Sequence, residues 1–191
     1  MEKRDKYEFK DGSTYDGHWV ENQRQGEGTF TWRSGAKYSG NWNADKKNGK
    51  GSMTFSDQTK YDGDWVDDKR VGNGTYTWPD GSTYAGAFED DNFHGKGKLT
   101  LKDGSSYDGM WKAGVKDGES GLMTYQDGST YTGAWKNDKR EDANGHLIWK
   151  ESDGNSSAYK GAFVNDKRTG HGVYTWTAQP DYKYEGSWSN G

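Results

Sequence analysis

The chain has 191 residues, 15% of them aromatic, and its 26 basic and 30 acidic side chains leave a formal net charge of only -4. Ten Trp, thirteen Tyr and six Phe exclude a solvated disordered tail, while one Ile, four Leu and six Val exclude a core filled by aliphatic side chains. The absence of Cys removes disulfide frameworks and thiolate metal sites, no apolar run approaches the ~20 residues of a membrane span, and an acidic balance leaves no global footprint for nucleic acid.

The first segment, Met1-Glu2-Lys3-Arg4-Asp5-Lys6, lacks the apolar stretch of a secretory signal, so a cytoplasmic protein is expected. Tyr7 and Phe9 then end a strand, and Asp11-Gly12 makes a turn. Tyr15-Asp16-Gly17-His18-Trp19 alternates apolar and polar with the period of two of a strand that has one apolar face. A polar loop with Arg24 follows, then Gly26-x-Gly28, then the aromatic pair Phe30 and Trp32, with Thr on the alternate positions. The whole pattern restarts at Tyr38, Tyr61, Tyr84, Tyr107, Tyr131, Tyr159 and Tyr184, at intervals of 23 residues for the first four steps and of 24, 28 and 25 afterwards. With each Tyr as position 0, the Trp or Phe stands at +4, the glycines at +2, +11 and +13, and the second aromatic pair at +15 and +17. Asp-Gly turns recur at Asp80-Gly81, Asp103-Gly104, Asp127-Gly128 and Asp153-Gly154, where Gly takes positive φ without steric cost. Asp57-Gln58 and Pro180-Asp181 replace the turn twice, and insertions make the stretch from 118 to 159 irregular; the regular meander is expected to bulge at these places.

Eight such hairpins predict sixteen short strands, which at ~4.8 Å apart span roughly 70 Å. The expected fold is all-β, an elongated, twisted, single-layer antiparallel meander of tandem hairpins forming one array over residues 1–191, with an aromatic groove on one face. Gly at +2 leaves a slot that a neighbouring ring can cover. Tyr-x-Gly-x-(Trp/Phe), a polar loop, Gly-x-Gly, a strand and Asp-Gly together resemble the MORN repeats, over residues 5–191. That resemblance implies a non-catalytic scaffold whose partners are structural proteins of cytoskeletal, ciliary, motor-tail or membrane-junction type.

Two functional features stand out. Trp19, Trp42, Trp65, Phe88, Trp111, Trp135 and Phe163, with Tyr38, Tyr61, Tyr84 and Tyr107, either pack over the glycines or line a groove for a partner peptide or helix, where Trp and Tyr make good anchors. The pairs Lys46-Lys47, Lys69-Arg70, Lys139-Arg140 and Lys167-Arg168, with Arg24 and Lys116 in equivalent places, form a basic row in the predicted longer loops. The alternative function is therefore a peripheral module for anionic, phosphoinositide-type lipid, although Asp45, Asp67, Asp68, Asp138 and Asp166 in the same loops also fit a solvated edge. His18, His94, His146 and His171 hold unrelated repeat positions, which leaves no catalytic constellation. No metal loop or cofactor motif is present, regular Trp platforms for carbohydrate fit the repeat pattern less well, and uncapped end strands predict weak self-association or a longer parent chain.

Overall fold

In the computed structural model all residues are described except Met1, Arg4, Asp5, Ser152, Asp153, Thr177 and Ala178, and for 2–3 and 179–181 only the backbone is described. The chain divides into two compact units, Met1–Phe93 and His94–Gly191. The first contains β1 (Glu2–Lys3), β2 (Tyr7–Glu8), β3 (Thr14–Val20), β4 (Gln23–Thr31), β5 (Lys37–Asn43), β6 (Lys46–Thr54), β7 (Lys60–Val66), β8 (Lys69–Thr77) and β9 (Thr83–Glu89). β10 (Asn92–Thr100) begins at the division, and the second unit continues with β11 (Ser106–Lys112), β12 (Val115–Thr124), β13 (Thr130–Lys136), β14 (Lys139–Arg140), β15 (Asp142–Lys150), β16 (Ser156–Val164), β17 (Lys167–Trp176) and β18 (Gln179–Trp188). Within each unit the strands pair antiparallel as a meander of hairpins, chain neighbour with chain neighbour except that β1 pairs with β3 and the split β14 and β15 both pair with β13, and no helix occurs among the described residues.

The register puts glycine opposite glycine on strand after strand. In the first unit Gly17, Gly28, Gly40, Gly51, Gly63, Gly74 and Gly86 pair in succession. This line exists because a tyrosine ring lies across it. A Cβ at Gly161 or Gly172 would stand 2.5 Å from the Tyr159 hydroxyl, closer than atoms approach without something moving. The slot expected at +2 is thus a double slot, formed by the +2 glycine and by the +13 glycine of the facing strand. The +11 glycine does another job: Gly72 takes φ 58 beside the register shift at Gly63/Asp64, where the strand bulges.

Two kinds of turn join the strands. The one at Asp-Gly is as expected: Asp80 Oδ1 accepts the Ser82 N–H at 2.8 Å, and Trp78 N–H donates to the Ser82 carbonyl at 2.9 Å. The predicted longer loops are instead two-residue turns. Both residues of Asp67-Asp68 have positive φ (48 and 71), the type I′ arrangement that matches the twist of a hairpin, so the basic pairs begin strands and do not sit in loops.

The three expected irregularities have different outcomes. At Asp57-Gln58 the meander does not bulge: Gln58 adopts φ 72 in glycine's place, and β6 and β7 keep their register. Pro180 and Asp181 lie inside β18, whose connection to β17 falls on Thr177 and Ala178, outside the described residues, as does Asp153 of the predicted Asp153-Gly154 turn. The insertions do break the pattern, with shifts at Gly118/Gly121 and Asp142/Gly145 and a strand split into β14 and β15.

Gly51→Ala should lower the unfolding free energy by about 1–3 kcal/mol, the cost of overpacking a tight site, as read by urea denaturation. Gln58→Gly should raise it by up to ~1 kcal/mol by relieving the left-handed side chain.

Candidate functional site: the aromatic face and its charged rim

Each column tyrosine is fixed at both ends. Its hydroxyl donates to the carbonyl three residues on, from Tyr84 to Ala87 at 2.9 Å and from Tyr15 to His18 at 3.2 Å, for example. The rings of Tyr15, Tyr38, Tyr61, Tyr107, Tyr131 and Tyr159 each meet the +4 ring of their own repeat edge-on, and then the +4 ring of the next. Tyr15 touches Trp19 and Trp42 at centroid distances of 5.0 and 5.7 Å, and Tyr38 touches Trp42 and Trp65 at 5.0 and 5.5 Å. Tyr61 continues to Trp65 and Phe88 in the first unit; Tyr107, Tyr131 and Tyr159 repeat the arrangement in the second, with Trp111, Trp135, Phe163 and Trp188. The edge-to-face geometry is the favoured one for aromatic pairs. The indole N–H groups of Trp42, Trp65 and Trp111 each donate to a +13 glycine carbonyl at 3.0 Å. Trp135 has no such partner, because the fifth repeat's Gly-x-Gly is stretched where that carbonyl would lie.

This ladder is the core. Tyr38, Tyr61 and Tyr84 are fully buried and Tyr107 is 1% exposed, while Trp19, Trp42, Trp65, Phe88, Trp111, Trp135 and Phe163 are between 1% and 7% exposed. The residues named as groove lining are therefore turned mainly onto one another. Tyr184 differs, at 45% exposed, and meets the +4 ring of its own repeat, Trp188, at 5.3 Å. The aromatics that do reach solvent are mostly in the second pair. Phe9, Trp32, Phe55, Tyr76, Trp78, Tyr125, Trp149 and Tyr174 are half-buried, and Trp176 is exposed. In the first unit a cavity of about 470 Å³ opens between Phe9, Phe30, Trp32 and Trp42, with Arg24 and Asp45 on its rim.

The basic row is built into the same structure. Arg24 lies over Trp42 at 4.2 Å, Lys47 over Trp65 at 4.4 Å, Arg70 over Tyr76 at 5.1 Å, Lys116 over Trp135 at 4.4 Å and Arg140 over Phe163 at 5.0 Å. Each is held there by the type I′ turn of the next repeat. The Arg70 backbone N–H and Nε donate to Asp91 Oδ1 at 3.0 and 2.9 Å, its Nη2 donates to the Asp91 carbonyl at 2.9 Å, and the Asp91 N–H returns a bond to the Arg70 carbonyl at 3.1 Å. Arg24 with Asp45 and Arg140 with Asp166 repeat this staple; Lys47 with Asp68 and Lys116 with Asp138 keep its backbone bond. The outer lysines are also engaged, Lys46 with Asp67 at 3.7 Å, Lys69 with Asp90 at 2.8 Å and Lys139 with Asn165 at 3.2 Å, whereas Lys167 is exposed and Arg168 lies over Trp188 at 4.5 Å. Burial lowers the pKa of Lys47 and Lys116. Burial also pushes the Asp91 carboxyl up, but the Arg70 hydrogen bonds outweigh it and hold that carboxyl below its ordinary value.

The opposite face of the first unit is a polar trough of about 710 Å³, floored by the glycine line and flanked by Asp16, Glu27, Ser39, Asn41, Lys50 and Asp62. Its signs are mixed, and Lys50 is paired with Asp64 at 2.8 Å. Among the described residues no group of three or more His, Asp or Glu side chains could hold a metal, and no helix is long and apolar enough to cross a membrane.

The MORN repeat model matches at residues 15–37, 38–60, 61–83, 84–106, 107–130, 131–141, 159–178 and 184–191, well over half of the sequence. The chain belongs to the MORN repeat family. No curated protein sequence matches it. Among solved structures, this MORN array is similar to the TCP domain of SAS-4 (dCPAP) of Drosophila melanogaster, solved with a proline-rich motif of Ana2 (dSTIL). The two are 13% identical with a TM-score of 0.47, over 97% of this chain and 90% of that one. The TCP10 domain of Danio rerio CPAP, solved with a peptide of STIL, is 12% identical with a TM-score of 0.34, over 96% of this chain and 98% of that one.

Arg70→Gln should cost about 1–2 kcal/mol of unfolding free energy, the worth of a partly exposed charge-assisted bond set, while Lys50→Gln should change it little. Burial pushes the phenols of Tyr15, Tyr61 and Tyr107 up to about 12. Their contribution to stability is complete below the ordinary tyrosine value of ~10 and is lost as pH rises through about 12. Unfolding free energy should therefore fall between pH 10 and 12, with phenolate absorbance appearing together with loss of the β-sheet circular-dichroism signal.

Proposed function

We propose that the chain is a non-catalytic protein-interaction scaffold that receives a segment of a partner on its half-exposed aromatic face. The observation that carries this reading is the division of labour among the aromatics. The Tyr and +4 columns form a sealed ladder, which leaves the second pair as a rigid, partly open aromatic surface on top of it. Exposed aromatic patches on a rigid support are favoured contact sites, because little side-chain freedom is lost when they are covered. Trp19, Trp42, Trp65 and the other ladder residues then act as the backing of the surface. The family resemblance suggests partners of a structural kind, cytoskeletal, ciliary, motor-tail or membrane-junction proteins.

The lipid alternative has less support. An anionic membrane is attracted by unneutralised positive charge, and most of the row is already paired with the carboxylates of neighbouring turns.

Three forms of the protein should be used as bait in cell extract: wild type, Trp32→Ser/Trp78→Ser, and Lys46→Ser/Lys69→Ser/Lys139→Ser. A partner retained by wild type and by the lysine variant but lost from the tryptophan variant is the expected result, with no flotation of any form on anionic vesicles. Capture that survives loss of both tryptophans, or vesicle binding that needs the lysines, would overturn the reading.

A further inference from the structure

We infer that the aromatic face of the first unit takes a proline-rich segment in the polyproline II conformation, laid across the strands with one proline over each repeat. This rests on the scaffold reading and names the chemistry of its partner. The +17 residues Phe9, Trp32, Phe55 and Trp78 form a row within that unit, and all four are half-buried. Their backbones are held alike. Each donates its N–H to the residue four further on, at 2.8–2.9 Å, and its carbonyl accepts from the residue three further on, at 2.9–3.0 Å. The row is therefore regular, and its period is set by the sheet.

Neighbouring members are two strand spacings apart, about 9.6 Å. A polyproline II helix turns once in three residues of ~3.1 Å each, about 9.3 Å, so its mismatch over the row's three intervals accumulates to only about 1 Å. An α-helix with a seven-residue apolar repeat advances about 10.5 Å per repeat and slips nearly 3 Å over the same row.

Hydrogen-bonding capacity points the same way. Proline-rich chain offers carbonyl acceptors and few donors. The ladder indoles of Trp42 and Trp65 spend their N–H groups on glycine carbonyls, but those of Trp32 and Trp78 donate to no protein acceptor among the described residues. Aromatic residues with free donors between them are the chemistry by which polyproline II segments are bound. The cations beside the row are stapled to carboxylates, which suits a ligand without charge.

The test uses the full chain and three fluorescein-labelled ten-residue peptides: decaproline, an amphipathic helix with leucines at a heptad spacing, and a Gly-Ser control. Fluorescence anisotropy should rise with decaproline alone, and raising the salt concentration should change its affinity less than twofold. Trp32→Leu and Trp78→Leu, which keep apolar bulk so that the fold is retained by circular dichroism, should each weaken it at least tenfold, and Lys46→Ser should leave it unchanged. Absence of decaproline binding at millimolar peptide, or binding indifferent to both leucine variants, would overturn the proline assignment. Binding of the helix in preference, lost with Trp32→Leu, would overturn it too while sparing the scaffold reading; that reading fails separately if extract capture ignores the same tryptophans.

Discussion

Everything in this structure depends on a tyrosine ring lying flat across two glycines on facing strands. A single-layer sheet has no second layer to bury its apolar face, and a chain so poor in Ile, Leu and Val cannot build one. Tyr15, Tyr38 and their equivalents solve this by packing onto the backbone itself. The glycine line lets the ring sink until its hydroxyl reaches a carbonyl of its own strand, and the ring edge then supports two +4 rings at once. Because one of those rings belongs to the next repeat, each repeat completes its neighbour's core. Repeat arrays gain stability through such nearest-neighbour terms, and here the term is a specific set of ring contacts.

The charged rim follows the same logic. A type I′ turn demands two residues at positive φ, which Asp and Asn tolerate better than most side chains. The aspartate chosen at the second turn position does more than fit: its carboxylate reaches back to clamp a cation of the preceding repeat over an aromatic ring. Turn chemistry, ion pairing and cation–π contact are thereby satisfied by two side chains. Most of the charge of the row is paired within the protein, and what remains for a partner is the half-buried aromatic surface above it.

Much of this was legible in the sequence, and what was missed has physical causes. The period, the Tyr-x-Gly-x-Trp strand and the Asp-Gly turn are local, and local signals survive translation into structure. The two-residue turns at Ala44-Asp45 and Asp67-Asp68 were hidden because no glycine marks them, so the basic pairs read as loop residues. The different tasks of Gly72 and Gly74 could not be separated without the register, which puts one at a bulge and the other under Tyr61. The column of Trp19, Trp42 and Trp65 was visible, but whether it faced outward or inward depended on rings from adjacent repeats. One overlooked signal did exist. Where the fourth repeat carries Phe93 in place of the clamped cation, the fifth carries Gly114 in place of the clamping aspartate. Phe93 stacks on Tyr84 at 3.7 Å, so a ring does there what Arg70 does over its own aromatic neighbours.

The central claim is that the aromatics fall into two populations, a sealed ladder and an open working surface. It is tested most directly by the ¹⁹F spectrum of the chain labelled with 5-fluorotryptophan, assigned by single substitution and recorded with and without a soluble gadolinium chelate. The account predicts that the Trp32, Trp78, Trp149 and Trp176 signals broaden while those of Trp42, Trp65, Trp111 and Trp135 stay sharp. Equal broadening of both sets would show the ladder to be open to solvent, and would contradict the account.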